Sequence, residues 1–140
     1  MHYITRKFHF SASHRMYKPS LSDEENFKLY GLCSNPNGHG HNYILKVTVA
    51  GEADPDLGFV MDLKELKKIV EDTVIHKVDH KNFNVDVDFM KDIIPTSENI
   101  VMKVWEQLEN KINNNNRKLY SLKLFETENN MVEYRGNNHE

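Results

Sequence analysis

The chain has 140 residues, of which 39% are hydrophobic and 28% are charged, and its formal net charge is −3 at pH 7. This composition is ordinary for one globular domain in water, and it offers no basic surface of the kind that binds nucleic acid. No apolar run approaches the roughly 20 residues that span a bilayer, and the single cysteine, Cys33, fits a reducing compartment. We therefore expect one cytoplasmic domain over residues 1–140, without nucleic-acid or membrane partners.

The first predicted element is a β-strand from Ile4 to Phe10, in which alternate apolar residues share one face. The segment 11–40 then shows no sustained period, and a loop of that length inside a small domain is usually functional. Within this loop, Ser22 and Glu25 have the spacing of a capping box, which predicts a short helix that ends near Tyr30.

A second strand is predicted from Asn42 to Gly51, and its alternation extends back to two histidines. His39 and His41 have the same parity as Tyr43, so both imidazoles project from the face that the strand buries. Two imidazoles on one face are a natural pair of metal ligands, and Zn²⁺ is the first ion to consider. The motif is short, however, and two ordinary surface histidines near a turn would give the same pattern.

A third histidine and the lone cysteine leave two kinds of metal site open. His14 follows the first predicted strand, and Cys33 lies six positions before His39. Three histidines with an open fourth position are typical of a catalytic zinc. With Cys33 as the fourth ligand, the same residues would instead form a closed structural site. The residues alone do not decide between these alternatives.

The remaining predicted elements are two helices followed by two strands. The helices begin after Asp62 and after Thr96 or Ser97, and each has an apolar stripe on one side. The strands run over residues 120–127 and 131–135, with a short polar turn between them. The order β-β-α-α-β-β, with paired strands and grouped helices, predicts an α+β domain with an antiparallel sheet.

Several polar residues have both a functional and an ordinary interpretation. Glu126 has the parity of apolar neighbours, where a carboxylate must be paired, but the pattern alone favours a solvated position at a strand end. Asp79 and His80 follow a predicted helix, where a cap or an incidental polar pair is the commoner arrangement. Thr96 and Glu98 suit a helix cap and its first-turn carboxylate.

Five segments, spread over nearly the whole chain, resemble the signature blocks of the 6-pyruvoyltetrahydropterin synthase family. In chain order they are Phe10-Ser-Ala-Ser-His14-Arg15, Tyr30-Gly-Leu-Cys33-Ser-Asn-Pro-Asn-Gly-His39-Gly-His41-Asn-Tyr43, Val78-Asp79-His80-Lys81-Asn82, Pro95-Thr96-Ser97-Glu98-Asn99 and Phe125-Glu126-Thr127. Each block alone is weak, whereas the five blocks in the family's order form a specific signature.

The resemblance implies the tunnelling fold (T-fold), in which a four-stranded antiparallel sheet carries two helices on one face. In that family three subunits close a barrel and two trimers stack, so a homohexamer is expected. The implied substrate is 7,8-dihydroneopterin triphosphate, a small pterin. The implied product is 6-pyruvoyltetrahydropterin, which forms with loss of triphosphate.

The resemblance also implies roles for individual residues. The ligands of a catalytic Zn²⁺ would be His14, His39 and His41. The ion would act as a Lewis acid toward the side-chain hydroxyls of the substrate. Cys33, as a thiolate, would be the general base.

Further roles follow from the other matching blocks. Asp79 and His80, from a neighbouring subunit, would complete a proton relay with the cysteine. Glu126 would anchor the pterin ring, and Thr96 and Glu98 would line the pocket that holds it. The resemblance thus implies a zinc-dependent carbon–oxygen lyase.

Two branches of the family and one rival class remain. The 6-carboxytetrahydropterin synthases of queuosine biosynthesis use the same substrate, but their cysteine commonly lies nearer the His-Gly-His step. The spacer Ser34–Gly38 resembles the biopterin branch more, although that branch usually has Asn in place of Ser34. The rival is a non-catalytic binding module stabilised by a Cys-His₃ zinc site. Arg15 and Lys81 are the candidates for binding the triphosphate.

Overall fold

The structure, a computed structural model, describes residues 1–137, and one five-stranded sheet organises it. The strands are β1 (His2–His14), β2 (His39–Gly51), β3 (Lys81–Asn82), β4 (Arg117–Phe125) and β5 (Met131–Tyr134). Their order across the sheet is β3-β1-β2-β4-β5. Neighbouring strands are antiparallel, except that β3 runs parallel to β1.

The sheet has five strands where the resemblance predicts four. The α+β class and the antiparallel pairing of the four predicted strands are confirmed, and the additional strand is the two-residue β3. It pairs with Ala12 and Ser13 at the outer edge of β1. A strand of two residues has no alternation of apolar and polar positions, so the sequence pattern could not reveal it.

Four α-helices accompany the sheet. They are α1 (Asp23–Tyr30), α2 (Leu63–Val70), α3 (His76–Val78) and α4 (Ser97–Ile112). A π-helical turn over Glu71–Ile75 joins α2 to α3, and short 3₁₀ turns cover Gly31–Ser34 and Asp88–Met90. The predicted caps are confirmed, because the side chains of Ser22, Asp62 and Thr96 each accept a hydrogen bond from a first-turn amide.

The core lies between one face of the sheet and the helices α2 and α4. Four alternate residues of β2 are each at most 1% exposed, as its alternation predicts: Tyr43, Leu45, Val47 and Val49. Helix α4 packs against β4 and β5 through its predicted apolar stripe. Burying each such aliphatic side chain stabilises the fold by roughly 1.5–3 kcal/mol. Within residues 1–137, no helix has the length and apolar character that crossing a bilayer requires.

The strand registers bring three strand ends together at one edge of the core. His14 and His39 are Cα partners at the last pair of β1 and β2, and Ala12 pairs with His41. The pairing of β2 with β4 ends at Phe125, so Glu126 follows at the same edge. The start of α4 lies there too, because Ser97 is hydrogen-bonded to Glu126.

Candidate active site

Three histidines occupy this edge on the core face of the sheet. His14 and His39 are direct cross-strand partners, and His41 is two residues further along β2. The ring centroids are 5.0 Å apart for His14 and His39, 4.7 Å for His39 and His41, and 5.1 Å for His14 and His41. The shared face expected for His39 and His41 is present, and the antiparallel register adds His14 to it.

His14 is held in one orientation by a main-chain carbonyl. Its side chain is fully buried, and Nδ1 lies 2.8 Å from the Pro95 carbonyl oxygen. Because a carbonyl can only accept, Nδ1 carries the proton and Nε2 presents its lone pair to the cluster. Burial is the main cause that lowers the pKa of His14, so the neutral imidazole is favoured. Metal-binding histidines commonly have such a fixed ring and tautomer.

His41 has a buried nitrogen without a hydrogen-bond partner among the described residues. Its Nε2 lies 3.1 Å from Glu126 Oε1, but the two atoms lack the alignment of a hydrogen bond. The distance alone would suggest an ion pair, whereas burial lowers the pKa of His41 and favours the neutral ring. A neutral imidazole with an unpartnered nitrogen is the form in which histidine binds a metal.

The donor atoms at this edge fit a divalent metal ion. They form two overlapping groups, each with its ligand atoms within 4.8 Å of one another: His14, Cys33 and His39, and His14, His41 and Glu126. The Nε2 atoms of His14 and His39 are 3.1 Å apart. Two nitrogens bound to one tetrahedral zinc would lie about 3.3 Å apart. Nitrogen donors with an adjacent thiol are characteristic of zinc sites.

Cys33 lies on the 3₁₀ turn beside the histidines and is half-buried. Burial is the first cause that raises the pKa of its thiol, and the Glu126 carboxylate is the second. A cation held by the histidines would act in the opposite sense and favour the thiolate. Because its sulfur lies within reach of the same cluster, both roles of Cys33 stay open on geometry: a fourth ligand and a base.

Glu126 points toward the core side of the sheet and lines a pocket. Ser97 Oγ donates a hydrogen bond to Glu126 Oε2 at 2.8 Å. The pocket has a volume of about 480 Å³, and Thr96 and Glu98 line it together with residues of the β4–β5 turn. Glu126 therefore faces the pocket side that its functional interpretation requires, and the two other pocket candidates lie beside it.

Asp79 and His80 lie at the outer edge of β1, where His80 and His41 line one pocket. Asp79 Oδ1 accepts from the Ser11 N–H at 2.9 Å, the main cause that lowers the pKa of Asp79, and it lies 3.1 Å from His80 Nδ1. The His80 side chain is 82% exposed, and its φ of 61° is uncommon for a residue other than glycine. Among residues 1–137, no hydrogen bond or ion pair joins this pair to Cys33.

Two contributors to the site were missed by the sequence patterns. The Pro95 carbonyl fixes His14, and the Ser97 hydroxyl fixes Glu126. Both residues are in the matching block Pro95–Asn99, and that proximity is the only sequence signal. A main-chain carbonyl acts independently of its side chain, so no residue pattern predicts the first contact.

Comparison with known proteins agrees with this geometry. Residues 3–137 match the family described as 6-pyruvoyl tetrahydropterin synthase. The chain belongs to this family. It is 50% identical over 133 residues to the 6-pyruvoyl tetrahydrobiopterin synthase of Pongo abelii, covering 95% of this chain and 90% of that protein.

The chain is also more similar to a solved biopterin-type structure than to a relative from the 6-carboxy branch. The structure of the Caenorhabditis elegans 6-pyruvoyl tetrahydropterin synthase superposes with a TM-score of 0.88 at 41% identity, covering 96% of this chain and 94% of that one. The 6-carboxy-5,6,7,8-tetrahydropterin synthase of Bacillus subtilis is 29% identical over 108 residues, which cover 76% of this chain and 64% of that protein. The chain is thus more similar to the biopterin-type relatives.

We predict that His39→Ala or His41→Ala will lower the affinity for a divalent metal by about 100-fold or more, since each removes a nitrogen donor. The measurement is zinc content per subunit after dialysis, followed by titration of the metal-free protein.

His9→Ala is the matched control, because His9 is an exposed histidine of β1 on the opposite face of the sheet. It should leave the metal content unchanged. Full metal occupancy in both His39→Ala and His41→Ala would rule out the histidine cluster as the metal site.

Proposed function

We propose that this protein is a zinc-dependent 6-pyruvoyltetrahydropterin synthase, a carbon–oxygen lyase that converts 7,8-dihydroneopterin triphosphate to 6-pyruvoyltetrahydropterin with elimination of triphosphate. The observation that carries the proposal is the meeting of three histidines, Cys33 and Glu126 at one edge of the sheet, beside a pocket. A metal-binding cluster alone would suit many reactions. The adjoining Glu126 carboxylate adds a means of holding a pterin. A relative that matches over 95% of this chain carries the name of this enzyme.

Glu126 would fix the pterin ring through its two carboxylate oxygens. The pyrimidine edge of a pterin offers two adjacent N–H donors, and a carboxylate accepts two such bonds side by side. Ser97 supports this role, because its hydrogen bond holds the carboxylate in place before the ring arrives. Thr96 and Glu98 would bind the substrate from the same pocket.

His14, His39 and His41 would hold the Zn²⁺, with the fourth position left for the substrate. When bound, the ion would supply Lewis acidity that makes the protons on the carbons next to the substrate hydroxyls easier to remove. The chain prepares its ligands for this task. Pro95 fixes the tautomer of His14, and burial favours the neutral form of both His14 and His41.

Cys33 would remove the carbon-bound proton as the general base. Its carbonyl accepts from the Met16 N–H at 2.7 Å, which holds the residue beside the histidines. Glu126 would orient the pterin ring of the substrate. The side chain of the substrate would then lie between the Cys33 thiol and the histidines. Holding the reacting atoms in this arrangement is itself a large part of the rate enhancement available to an enzyme.

Asp79 and His80 would relay protons to Cys33 from a neighbouring subunit. Within one chain they contact each other and β1 rather than Cys33. The outer strands β3 and β5 have main-chain groups that a neighbouring sheet could pair with. A homohexamer of two stacked trimers, as the family resemblance implies, would close those edges and bring the two halves of the relay together.

Two alternatives predict different behaviour. A 6-carboxytetrahydropterin synthase would use the same substrate and release acetaldehyde, but the higher identity to biopterin-type relatives argues against that branch. A non-catalytic binding module would use Cys33 to close a structural zinc site. We also propose that residues 1–140 act as a single pterin synthase domain and that the protein is cytoplasmic, as its lone cysteine suggests.

The product distinguishes the two branches. We predict that the pure protein incubated with 7,8-dihydroneopterin triphosphate forms 6-pyruvoyltetrahydropterin and triphosphate without acetaldehyde. Chromatography of the pterins and an enzymatic assay for acetaldehyde provide the measurement. Stoichiometric acetaldehyde would assign the protein to the 6-carboxy branch instead.

Replacing the thiol distinguishes the enzyme from the binding module. We predict that Cys33→Ala lowers turnover by about 100-fold or more, while zinc content and melting temperature stay at wild-type values. In a closed structural site the same substitution would release zinc and destabilise the domain, because the binding energy of a structural metal is folding energy. Zinc content, melting temperature and turnover are measured on one preparation.

Mixed oligomers test whether the relay crosses subunits. Cys33→Ala and His80→Ala should each have turnover lowered by about 100-fold or more when assembled alone. Co-assembled oligomers of the two variants should recover part of the activity, because some interfaces then combine an intact Cys33 with an intact His80.

The control for this experiment is a mixture of the two variants that have been assembled separately and not allowed to exchange. Its turnover should stay at the lowered level of the separate variants. Absence of recovery in oligomers proven to contain both chains, or full activity of a monomer, would exclude a site shared between subunits.

A further inference from the structure

Arg15 is the first residue after β1. The side chain of Asn84 makes hydrogen bonds with both the main-chain N–H and the main-chain carbonyl of Arg15. The Arg15 N–H donates to Asn84 Oδ1 at 2.7 Å, and Asn84 Nδ2 donates to the Arg15 carbonyl oxygen at 2.8 Å. The Asn84 amide thus replaces a neighbouring strand residue for one step beyond β1. Asn84 is anchored in turn, because its own N–H donates to Asn82 Oδ1 at 2.8 Å and Asn82 belongs to β3.

The Arg15 side chain connects this anchored point to the segment that carries Cys33. Its Nε donates to the Ser34 carbonyl oxygen at 2.9 Å, and its Nη2 lies 3.1 Å from Asp23 Oδ1. The guanidinium carbon also lies 3.9 Å from the centroid of the Tyr17 ring. These three contacts tie the guanidinium of Arg15 to neighbouring segments of the fold.

The main-chain carbonyls of Cys33 and Ser34 therefore both accept hydrogen bonds from the segment that follows β1. The Met16 N–H donates to the Cys33 carbonyl oxygen at 2.7 Å, beside the contact between Arg15 and Ser34. The segment 15–38 contributes no strand to the sheet. The segment that carries the thiol is therefore joined to the end of β1 by these hydrogen bonds and not by a strand pairing.

We propose that Asn84 and Arg15 are positioning residues for Cys33. Asn84 fixes the Arg15 main chain, and Arg15 fixes the carbonyl that follows Cys33, so the sulfur stays within 4.8 Å of the ligand nitrogens of His14 and His39. Both residues act through the cysteine. The effect on turnover rests on the proposed function, whereas the effect on the position of the thiol does not.

Asn84→Ala and Arg15→Lys test the proposal. The chain has a single cysteine, so reaction with iodoacetamide reports on Cys33 alone. We expect each variant to react several-fold faster than wild type, because the loosened segment exposes the half-buried thiol. We expect kcat to fall by about 100-fold, as a misplaced base would cause. KM should change less than kcat, because Arg15 and Asn84 do not line the Glu126 pocket and only the neighbouring Met16 does.

Asn113→Ala is the matched control. Asn113 Oδ1 also accepts from a main-chain amide, the Leu119 N–H at 2.7 Å, but near the opposite end of the sheet. It should lower the melting temperature by a similar amount and leave both iodoacetamide reactivity and kcat unchanged. If Asn84→Ala does not fold, Asn84→Asp applies the same test, because it keeps the acceptor for the Arg15 N–H and loses the donor.

Folded Asn84 and Arg15 variants that react with iodoacetamide at the wild-type rate would overturn the proposal. Faster alkylation with unchanged kcat would overturn its catalytic part alone. If the wild-type protein has no synthase activity, the proposed function fails separately, and the alkylation rates still decide whether the two residues position the thiol.

Discussion

The antiparallel register of β1 against β2 is the constraint on which the site depends. It pairs His14 with His39, and the two-residue period of a strand puts His41 on the same face. A slip of one residue would send the imidazoles of one strand to the opposite face of the sheet. The same slip would expose the apolar row of β2 between Tyr43 and Val49, which is fully buried. The core residues that stabilise the fold therefore also specify the arrangement of the histidines.

Burial shifts the pKa values of several of the polar groups gathered at this edge. Burial lowers the pKa of His14 and His41 and raises that of Cys33, so these groups are driven toward their neutral forms. The Glu126 carboxylate adds to the raised pKa of the thiol. A divalent cation would use the lone pairs of the imidazoles, favour the thiolate and offset the negative charge of Glu126. Burial thus keeps the imidazole lone pairs of His14 and His41 free for a metal ion.

The sequence predicted the local features of the site better than its long-range contacts. Strand parity put His39 and His41 on one face, because period-two patterns are set by neighbours along the chain. The functional interpretation of Glu126 came from the family resemblance, since the pattern alone favoured a solvated strand end. The contacts of Pro95 and Asn84 left no such signal, since they join segments far apart in sequence and use single main-chain or amide groups. The additional strand β3 was missed because two residues have no period.

The spacer between Cys33 and the first histidine of β2 can change in length independently of the sheet. Residues 34–38 separate Cys33 from the first residue of β2 and lie outside every strand pairing. An insertion or deletion there would move the thiol relative to the histidines without shifting the register that holds the core. The length of this spacer and the register of the sheet are therefore set by separate stretches of the chain.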